Sequence, residues 1–196
     1  MAAQPVVIVL AAGRGERFIA SGAATHKLDT LLNGITVLNH TLAAVKSSGL
    51  PWHLVRPEGG TAGMGESIAM GVQATQDAAG WLILPGDLPL VRATSLRRVA
   101  GALAGNTIIV PRFRQSLGHP VGFGHDYFAA LAALNGDVGA AAIVRQARSR
   151  GSVRELPLAD AGLVRDVDTL ADLHLARRLL SARPVSFNNP SSPEGD

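Results

Sequence analysis

The chain has 196 residues, of which 47% are hydrophobic and 17% are charged, and its formal net charge is +3. This length and composition are typical of one packed globular domain and exclude a disordered or fibrous chain. The basic residues are scattered without a run of like charges, which argues against a nucleic-acid-binding face, and the absence of cysteine excludes disulfides, thiolate catalysis and cysteine-ligated metals.

The N-terminal apolar run over residues 6–12 has no basic segment before it and is too short to cross a bilayer. We therefore expect a cytoplasmic protein without membrane contact.

Short apolar runs without polar alternation predict central parallel strands. They are Val6–Leu10, Trp52–Val55, Trp81–Leu84 and Thr107–Val110. Apolar residues at helical spacing predict crossover helices over residues 38–45 and 96–103. This alternation favours a doubly wound α/β sheet covered by helices on both faces.

The second half of the chain predicts an edge hairpin around residues 121–123, which would make the sheet partly mixed. Helices are expected near residues 127–134 and 140–147, and a strand near 153–156. A last helix begins at Thr169, with Asp172 completing a capping box. We expect one domain over residues 1–181 and a disordered tail over 182–196, which is rich in proline and poor in apolar residues.

A glycine-rich segment follows the first strand directly. It comprises Leu10, Ala11, Ala12, Gly13, Arg14 and Gly15. Its small residues allow backbone N–H groups to approach phosphate oxygens, while Arg17 and Lys27 could neutralise their charge. Phe18 stands where the dinucleotide fingerprint needs its third glycine, and the Gly-Lys-Ser/Thr of a P-loop is absent. A tight turn with exposed arginines explains the spacing equally well.

Asp87 follows the strand Trp81–Leu84 after Pro85 and Gly86, so its carboxylate should project from the carboxyl edge of the sheet. Magnesium is commonly held by one or two carboxylates together with substrate phosphates. Asp87 is therefore a candidate magnesium ligand, although a turn-forming aspartate between two prolines is the alternative.

Gly63 and Met64 open a helix that carries Ser67, and nearby glycines would let a ligand approach the backbone. A flexible loop with Met64 as a core residue is the alternative. His26 and the other histidines apart from His119 lack metal-ligand spacing and are expected to be structural or exposed.

Six segments, in order, resemble the MobA-like molybdenum-cofactor nucleotidyltransferases over most of residues 5–180. They are Leu10-Ala11-Ala12-Gly13 with Arg17 and Lys27, Gly63-Met64-Gly65-Glu66-Ser67, Pro85-Gly86-Asp87-Leu88-Pro89, Gly118-His119-Pro120-Val121, Gly136-Asp137-Val138-Gly139 and Asp166-Val167-Asp168-Thr169. The resemblance implies a three-layer α/β/α Rossmann-like nucleotidyltransferase fold with a mostly parallel, partly mixed sheet. It also implies Mg2+-dependent transfer from a nucleoside triphosphate to a small phosphorylated acceptor.

By the same resemblance, Asp87 and Asp168 hold the metal, with Asp166 as the nearest rival to Asp168. Arg17, Lys27 and Asp87 are the catalytic residues. The nucleotide is bound by Leu10, Ala11, Ala12, Gly13, Arg14, Gly15, Gly63, Met64 and Ser67, and the acceptor by His119, Pro120 and Asp137. The pair Ala11-Ala12 favours CTP, the family's acceptor is molybdopterin, and a molybdoenzyme is a further expected partner.

Two departures from the family pattern qualify this interpretation. Lys27 lies ten positions beyond Arg17 on a longer loop, so its reach to the phosphates is in question, and Glu66 adds a charge that would repel a phosphate acceptor. Rival functions are a transferase for a sugar phosphate or other phosphate ester and a non-catalytic cofactor-binding accessory protein. A nicotinamide-dependent oxidoreductase is disfavoured by the missing third glycine.

Overall fold

The computed structural model describes residues 3–182, so the predicted tail lies outside the described residues from position 183 onward. Its strands are β1 Val6–Leu10, β2 Leu31–Leu32, β3 Ile35–Thr36, β4 Trp52–Val55, β5 Gly80–Pro85, β6 Ile108–Phe113, β7 Ser116–Leu117, β8 Val121–Gly124 and β9 Val153–Pro157. Its α-helices are α1 Glu16–Ala20, α2 Val37–Ser48, α3 Met64–Ala74, α4 Ala93–Ala102, α5 Phe128–Ala132, α6 Ala141–Ser149 and α7 Leu170–Ser181.

The central sheet has the strand order β4-β1-β5-β8-β6-β7, with β9 pairing β6, while β2 and β3 form a separate small hairpin. Strand β1 pairs in parallel with β4 and β5, so Ile8 lies opposite His53 and Ile83. Strand β8 runs antiparallel between β5 and β6, and β9 is parallel to β6. Five of the seven strands therefore share one direction, which confirms the predicted mostly parallel, partly mixed sheet.

Two strand positions differ from the prediction. Val121–Gly124 is not an edge hairpin but lies inside the sheet, because its glycines admit close neighbours: a Cβ on Gly122 would lie 3.0 Å from the Val99 side chain, and one on Gly124 would collide with the Ala104 carbonyl oxygen. Strand β4 is an edge strand rather than a central one, and Trp52 is 39% exposed there.

Alternate residues of β1 face opposite helical layers. Val7 and Val9 belong to an apolar cluster with residues of α2, α4 and α7, whereas Ile8 belongs to a second cluster with residues of α3, α5 and α6. Burying both faces of a strand explains why its sequence lacks polar alternation. The predicted three-layer α/β/α arrangement is confirmed.

Helix α7 has the predicted capping box. The Asp172 carboxylate accepts a hydrogen bond from the Thr169 backbone N–H at 2.8 Å, and the Thr169 hydroxyl accepts from the Asp172 N–H at 3.2 Å. These bonds fix the chain immediately after Asp168. Within residues 3–182 no helix has the length and apolar character needed to cross a membrane.

Candidate functional site

A cavity of about 550 Å³ lies at the carboxyl ends of β1 and β5. Its size is in the range of small-molecule sites, roughly 300–1,000 Å³. Its lining residues come from the glycine-rich segment, the start of α3 and the segments before α7 and after β5. They are Leu10, Ala12, Gly13, Arg14, Gly15, Glu16, Arg17, Phe18, Lys27, Leu28, Thr61, Ala62, Gly63, Met64, Ser67, Pro85, Gly86, Asp87, Asp137 and Asp168.

The glycine-rich segment forms the wall of the cavity with all of its predicted residues except Ala11. Ala11 is buried, 4% exposed, in the cluster with α2, and its N–H donates to the Val55 carbonyl at 3.0 Å. Gly15 has a φ of +65° at the start of α1, a left-handed conformation that glycine adopts without strain. The segment therefore leaves β1 as a turn whose backbone borders the cavity.

His26 connects this turn to the segment that carries Lys27. Its Nδ1 accepts a hydrogen bond from the Leu28 N–H at 3.2 Å, so the proton is assigned to Nε2, which lies 2.7 Å from the Gly13 carbonyl oxygen. The sequence did not single out this contact, since a histidine before the lysine carries no motif of its own. His26 thereby anchors the far end of the longer loop.

Two backbone segments bring the predicted metal ligands together. Asp87 follows β5, Asp168 precedes α7, and the Val167 N–H donates to the Asp87 carbonyl at 3.0 Å. Asp166 joins them: one carboxylate oxygen from each of the three aspartates lies within 4.8 Å of the others. Asp166, which the sequence suggested only as a rival to Asp168, is part of the same cluster.

Two cations lie against these carboxylates. The Lys27 Nζ is 2.6 Å from Asp87 Oδ2 and 2.8 Å from Asp168 Oδ1, and its side chain is only 15% exposed. The Arg17 guanidinium lies 3.1 Å from Asp168 Oδ2 and is 81% exposed. Despite the longer loop, Lys27 therefore reaches the metal-ligand candidates themselves.

The pKa values in the cluster follow from burial and charge. Burial lowers the pKa of Lys27, but the charges of Asp87 and Asp168 and their hydrogen bonds outweigh it and raise that pKa overall. Burial raises the pKa of Asp168, yet Lys27 and Arg17 lower it overall. Burial and the two neighbouring carboxylates raise the pKa of Asp166. Within the cluster, the negative charge of Asp166 is thus less well compensated than that of Asp168.

The donor set fits a hard divalent cation. Asp87 Oδ1 is buried and, in the part of the chain that the structure describes, has no hydrogen-bond partner. Three carboxylates in close proximity supply the oxygen ligands that Mg2+ and Mn2+ prefer. Asp87, Asp166 and Asp168 are accordingly the residues that could hold such an ion.

The opposite end of the cavity is built from backbone. The Glu66 N–H donates to the Gly136 carbonyl at 3.2 Å, and a Cβ on Gly63 would lie 2.6 Å from that same oxygen. Gly63 therefore admits the loop over residues 135–138. From the sequence alone, the space beside this glycine was expected to hold a ligand. The Glu66 carboxylate accepts from the Ala62 N–H and is directed to its own loop, outside the cavity lining.

The three predicted acceptor residues are not brought together in one wall. Asp137 lines the cavity beside Met64, with 3.5 Å between its Oδ1 and the Met64 nitrogen. His119 and Pro120 lie outside the lining, and the His119 N–H donates to the Leu163 carbonyl at 2.9 Å. Removal from water by the surrounding protein lowers the pKa of the His119 imidazole, an effect that the Asp87 charge opposes. His119 is thus within electrostatic range of the metal-ligand candidates.

A sequence profile of the MobA-like NTP transferase domain matches residues 44–153. Among curated proteins, the bifunctional protein GlmU of Xanthomonas campestris pv. campestris (strain B100) is 29% identical over 139 residues, which cover 60% of this chain and 29% of that protein. The chain thus spans less than a third of that relative.

Solved structures share the fold over most of the chain. Rv0371c of Mycobacterium tuberculosis H37Rv is 28% identical with a TM-score of 0.73, covering 91% of this chain and 99% of that one. The same protein in complex with manganese is 25% identical with a TM-score of 0.66, covering 91% and 100%. Molybdopterin-guanine dinucleotide biosynthesis protein A of Archaeoglobus fulgidus, at 16% identity, has a TM-score of 0.61 and coverages of 91% and 100%. The predicted Rossmann-like nucleotidyltransferase fold is confirmed.

Proposed function

Because the chain belongs to the MobA-like NTP transferase family, we propose that it transfers a nucleotidyl group from a nucleoside triphosphate to a phosphorylated acceptor with the aid of Mg2+. Membership of the family confirms the predicted enzyme class, nucleotidyltransferase. We propose residues 1–181 as the catalytic domain.

The composition of the cavity lining is the observation that supports nucleotidyl transfer at this site. The glycine-rich turn, two cations and two members of the carboxylate cluster border a single cavity. A triphosphate needs backbone donors and positive side chains along its phosphates and a metal ion between them and the protein. This cavity presents all three kinds of group: the backbone at Gly13, the ammonium of Lys27 and the carboxylate of Asp87.

The chain's own groups would mainly bind, orient and neutralise charge. Arg17 and Lys27 would contact the triphosphate, and Asp87, Asp168 and Asp166 would hold the metal. A bound divalent cation would supply charge neutralisation for the phosphates. An acceptor phosphate oxygen forms the new bond to the α-phosphorus. At the same time the bond between the α-phosphorus and the oxygen that bridges it to the β-phosphorus breaks, and pyrophosphate leaves. Since that phosphate is already ionised at neutral pH, no general base is required.

CTP is the donor we favour and molybdopterin the acceptor. The pair Ala11-Ala12 supports CTP by family resemblance, and only Ala12 lines the cavity. His119, Pro120 and Asp137 are our acceptor candidates on the same grounds. GTP is the second candidate donor, because the Archaeoglobus fulgidus neighbour is named for a molybdopterin-guanine dinucleotide. A molybdoenzyme partner and a cytoplasmic location stay predictions.

Pyrophosphate release tests the proposal. CTP, GTP, UTP and ATP are each incubated with Mg2+ and either molybdopterin or a panel of sugar phosphates, and the nucleotidyl product is identified by mass. We expect release with CTP and molybdopterin, and none from the Asp87→Asn variant. Release with a sugar phosphate alone would replace the acceptor. No release from any pair would contradict the proposed activity and favour a cofactor-binding accessory protein.

A further inference from the structure

The side chain of Lys27 lies where both metal-ligand candidates converge. Its ammonium nitrogen is 2.6 Å from Asp87 Oδ2 and 2.8 Å from Asp168 Oδ1. An ion ligated by Asp87 Oδ2 and Asp168 Oδ1 would need the volume that this nitrogen fills. A lysine ammonium and a divalent cation cannot share that volume, because both their radii and their like charges forbid it.

Both carboxylate oxygens of Asp168 already have a cationic partner. Lys27 occupies its Oδ1, and Arg17 occupies its Oδ2 at 3.1 Å. The Arg17 side chain is 81% exposed and forms an ion pair with Asp168 but not with Asp87. The Lys27 side chain is 15% exposed and forms ion pairs with both aspartates. A metal that binds both Asp87 Oδ2 and Asp168 Oδ1 therefore requires the departure of Lys27 rather than of Arg17.

The structure also offers Lys27 a second destination. Its side chain lines the cavity together with the glycine-rich turn, where the triphosphate is proposed to bind. Its backbone stays in place, because His26 caps the short 3-10 turn Lys27–Asp29 and Leu28 is buried. The flexible four-carbon stem allows the ammonium group alone to move from the carboxylates to phosphate oxygens.

We propose that Lys27 holds the position of the metal ion until the metal–nucleotide complex arrives, and then moves to the phosphates as the ion takes over Asp87 and Asp168. This inference rests on the proposed function. Lys27 then excludes free metal and also binds the nucleotide. Its removal should therefore strengthen the binding of free metal and weaken the binding of the nucleotide. An ion enters the site with its triphosphate rather than before it.

Metal binding without nucleotide tests the first half. Mn2+ is titrated against the full chain and followed by the electron paramagnetic resonance signal of the free ion. Lys27→Met, which keeps most of the unbranched stem and removes the ammonium group, should bind Mn2+ about tenfold more tightly than the unaltered protein. Arg17→Met is the matched control, because it removes the same charge from Asp168 without opening the space between the carboxylates, and should tighten binding less than about threefold.

The results separate clearly. Unchanged or weaker Mn2+ binding by Lys27→Met overturns the inference, as does a larger gain from Arg17→Met than from Lys27→Met. Lys27→Arg keeps the charge and should bind Mn2+ as weakly as the unaltered protein. Circular dichroism checks that each variant is folded.

A measurement on the unaltered protein avoids dependence on variants. The chain has two lysines, so side-chain NMR of lysine-labelled protein gives one signal for Lys27 and one for Lys46. The Lys46 ammonium lies 5.7 Å from the centre of the Trp52 ring, and Lys46 is not one of the residues that line the cavity. Mg2+ alone should leave both signals in place, while Mg2+ with a non-hydrolysable triphosphate should shift only that of Lys27. A shift of Lys27 by Mg2+ alone, or bound nucleotide without a shift, overturns the inference.

Failure of the proposed function looks different. If no triphosphate binds with Mg2+, the nucleotidyltransferase proposal fails, while the Mn2+ comparison still decides whether Lys27 excludes free metal. If a triphosphate binds and Lys27→Met leaves Mn2+ affinity unchanged, the function stands and the exchange of Lys27 is wrong.

Discussion

The two ends of the cavity are built by different means. At the carboxylate end, side chains far apart in sequence meet through charge, as Lys27 and Asp168 do across 141 positions. At the α3 end, backbone meets backbone: Gly63 and Gly65 admit the loop over residues 135–138 at distances that no Cβ would tolerate. Charge contacts can exchange partners during a reaction, whereas close backbone packing gives a fixed wall. We therefore expect the α3 end of the cavity to be rigid and the carboxylate end to be adaptable.

The largest expected effect breaks the carboxylate end. Asp87→Asn keeps the shape of the side chain but removes the charge that a metal ion needs, so the turnover rate should fall by about a thousandfold. Melting temperature should change little by comparison. Asp77→Asn, at an exposed aspartate in the turn after α3, is the control and should keep full activity. Near-normal turnover by Asp87→Asn would remove Asp87 from the site.

The next effect breaks the α3 end. A Cβ on Gly65 would lie 2.6 Å from the Asn135 carbonyl oxygen, so Gly65→Ala must displace backbone and should lower the free energy of unfolding by about 2 kcal/mol. Gly101→Ala is the matched control, because that helical glycine has nothing within 4 Å of its added Cβ. Alanine should there stabilise the protein by up to about 1 kcal/mol in denaturant titrations. Equal effects of the two variants would refute the account of the rigid end.

A smaller effect is expected from His26, which joins the glycine-rich turn to the segment that carries Lys27. His26→Ala removes two hydrogen bonds that join the glycine-rich turn to the Lys27 segment, each worth about 1 kcal/mol. The KM for the triphosphate should rise about tenfold while kcat falls less. His174→Ala, at an exposed position of α7, should leave both constants unchanged. A fall in kcat with an unaltered KM would show that His26 does not position the turn.

The smallest effect concerns the pH dependence of stability. Lys27 and Arg17 hold the pKa of Asp168 below its usual range, so the ionised carboxylate stabilises the fold at neutral pH, and this contribution is lost as acid protonates it. The stability difference between the unaltered protein and Asp168→Asn should therefore shrink as pH falls below the usual range of an aspartate. Unfolding is followed in chelator, with Asp77→Asn as the control. A difference that grows on acidification would contradict the ion pairs.

Local patterns predicted much of this molecule. The apolar run of β1 and the position of Asp87 after β5 follow from neighbouring residues, and the capping box of Thr169 and Asp172 lies within four positions. Asp168 was identified through family resemblance rather than through a local pattern. Predictions from local sequence were accurate where the determinants themselves are local.

Non-local packing accounts for the rest. Val121–Gly124 lies inside the sheet because Gly122 and Gly124 admit α4 and the turn after it, a fact that their own segment does not contain. The hydrogen bond between His26 and Gly13 spans 13 positions of the chain, and no periodic pattern predicts it. The longer loop put the reach of Lys27 to the phosphates in question. The structure shows where the end of that loop is anchored, with the Lys27 ammonium at Asp87 and Asp168.

The central claim is that the cavity binds one complex of a metal ion and a nucleoside triphosphate. The dependence of the melting temperature on nucleotide and Mg2+ tests this claim most directly. The unaltered protein and Asp87→Asn are heated with CTP, GTP, UTP or ATP, each with and without Mg2+. A ligand at a hundredfold excess over its Kd adds about 2.7 kcal/mol of stability. The account predicts a rise for one triphosphate that requires Mg2+ and is lost in Asp87→Asn. No rise with any of the four, or a rise that ignores both Mg2+ and Asp87, would contradict it.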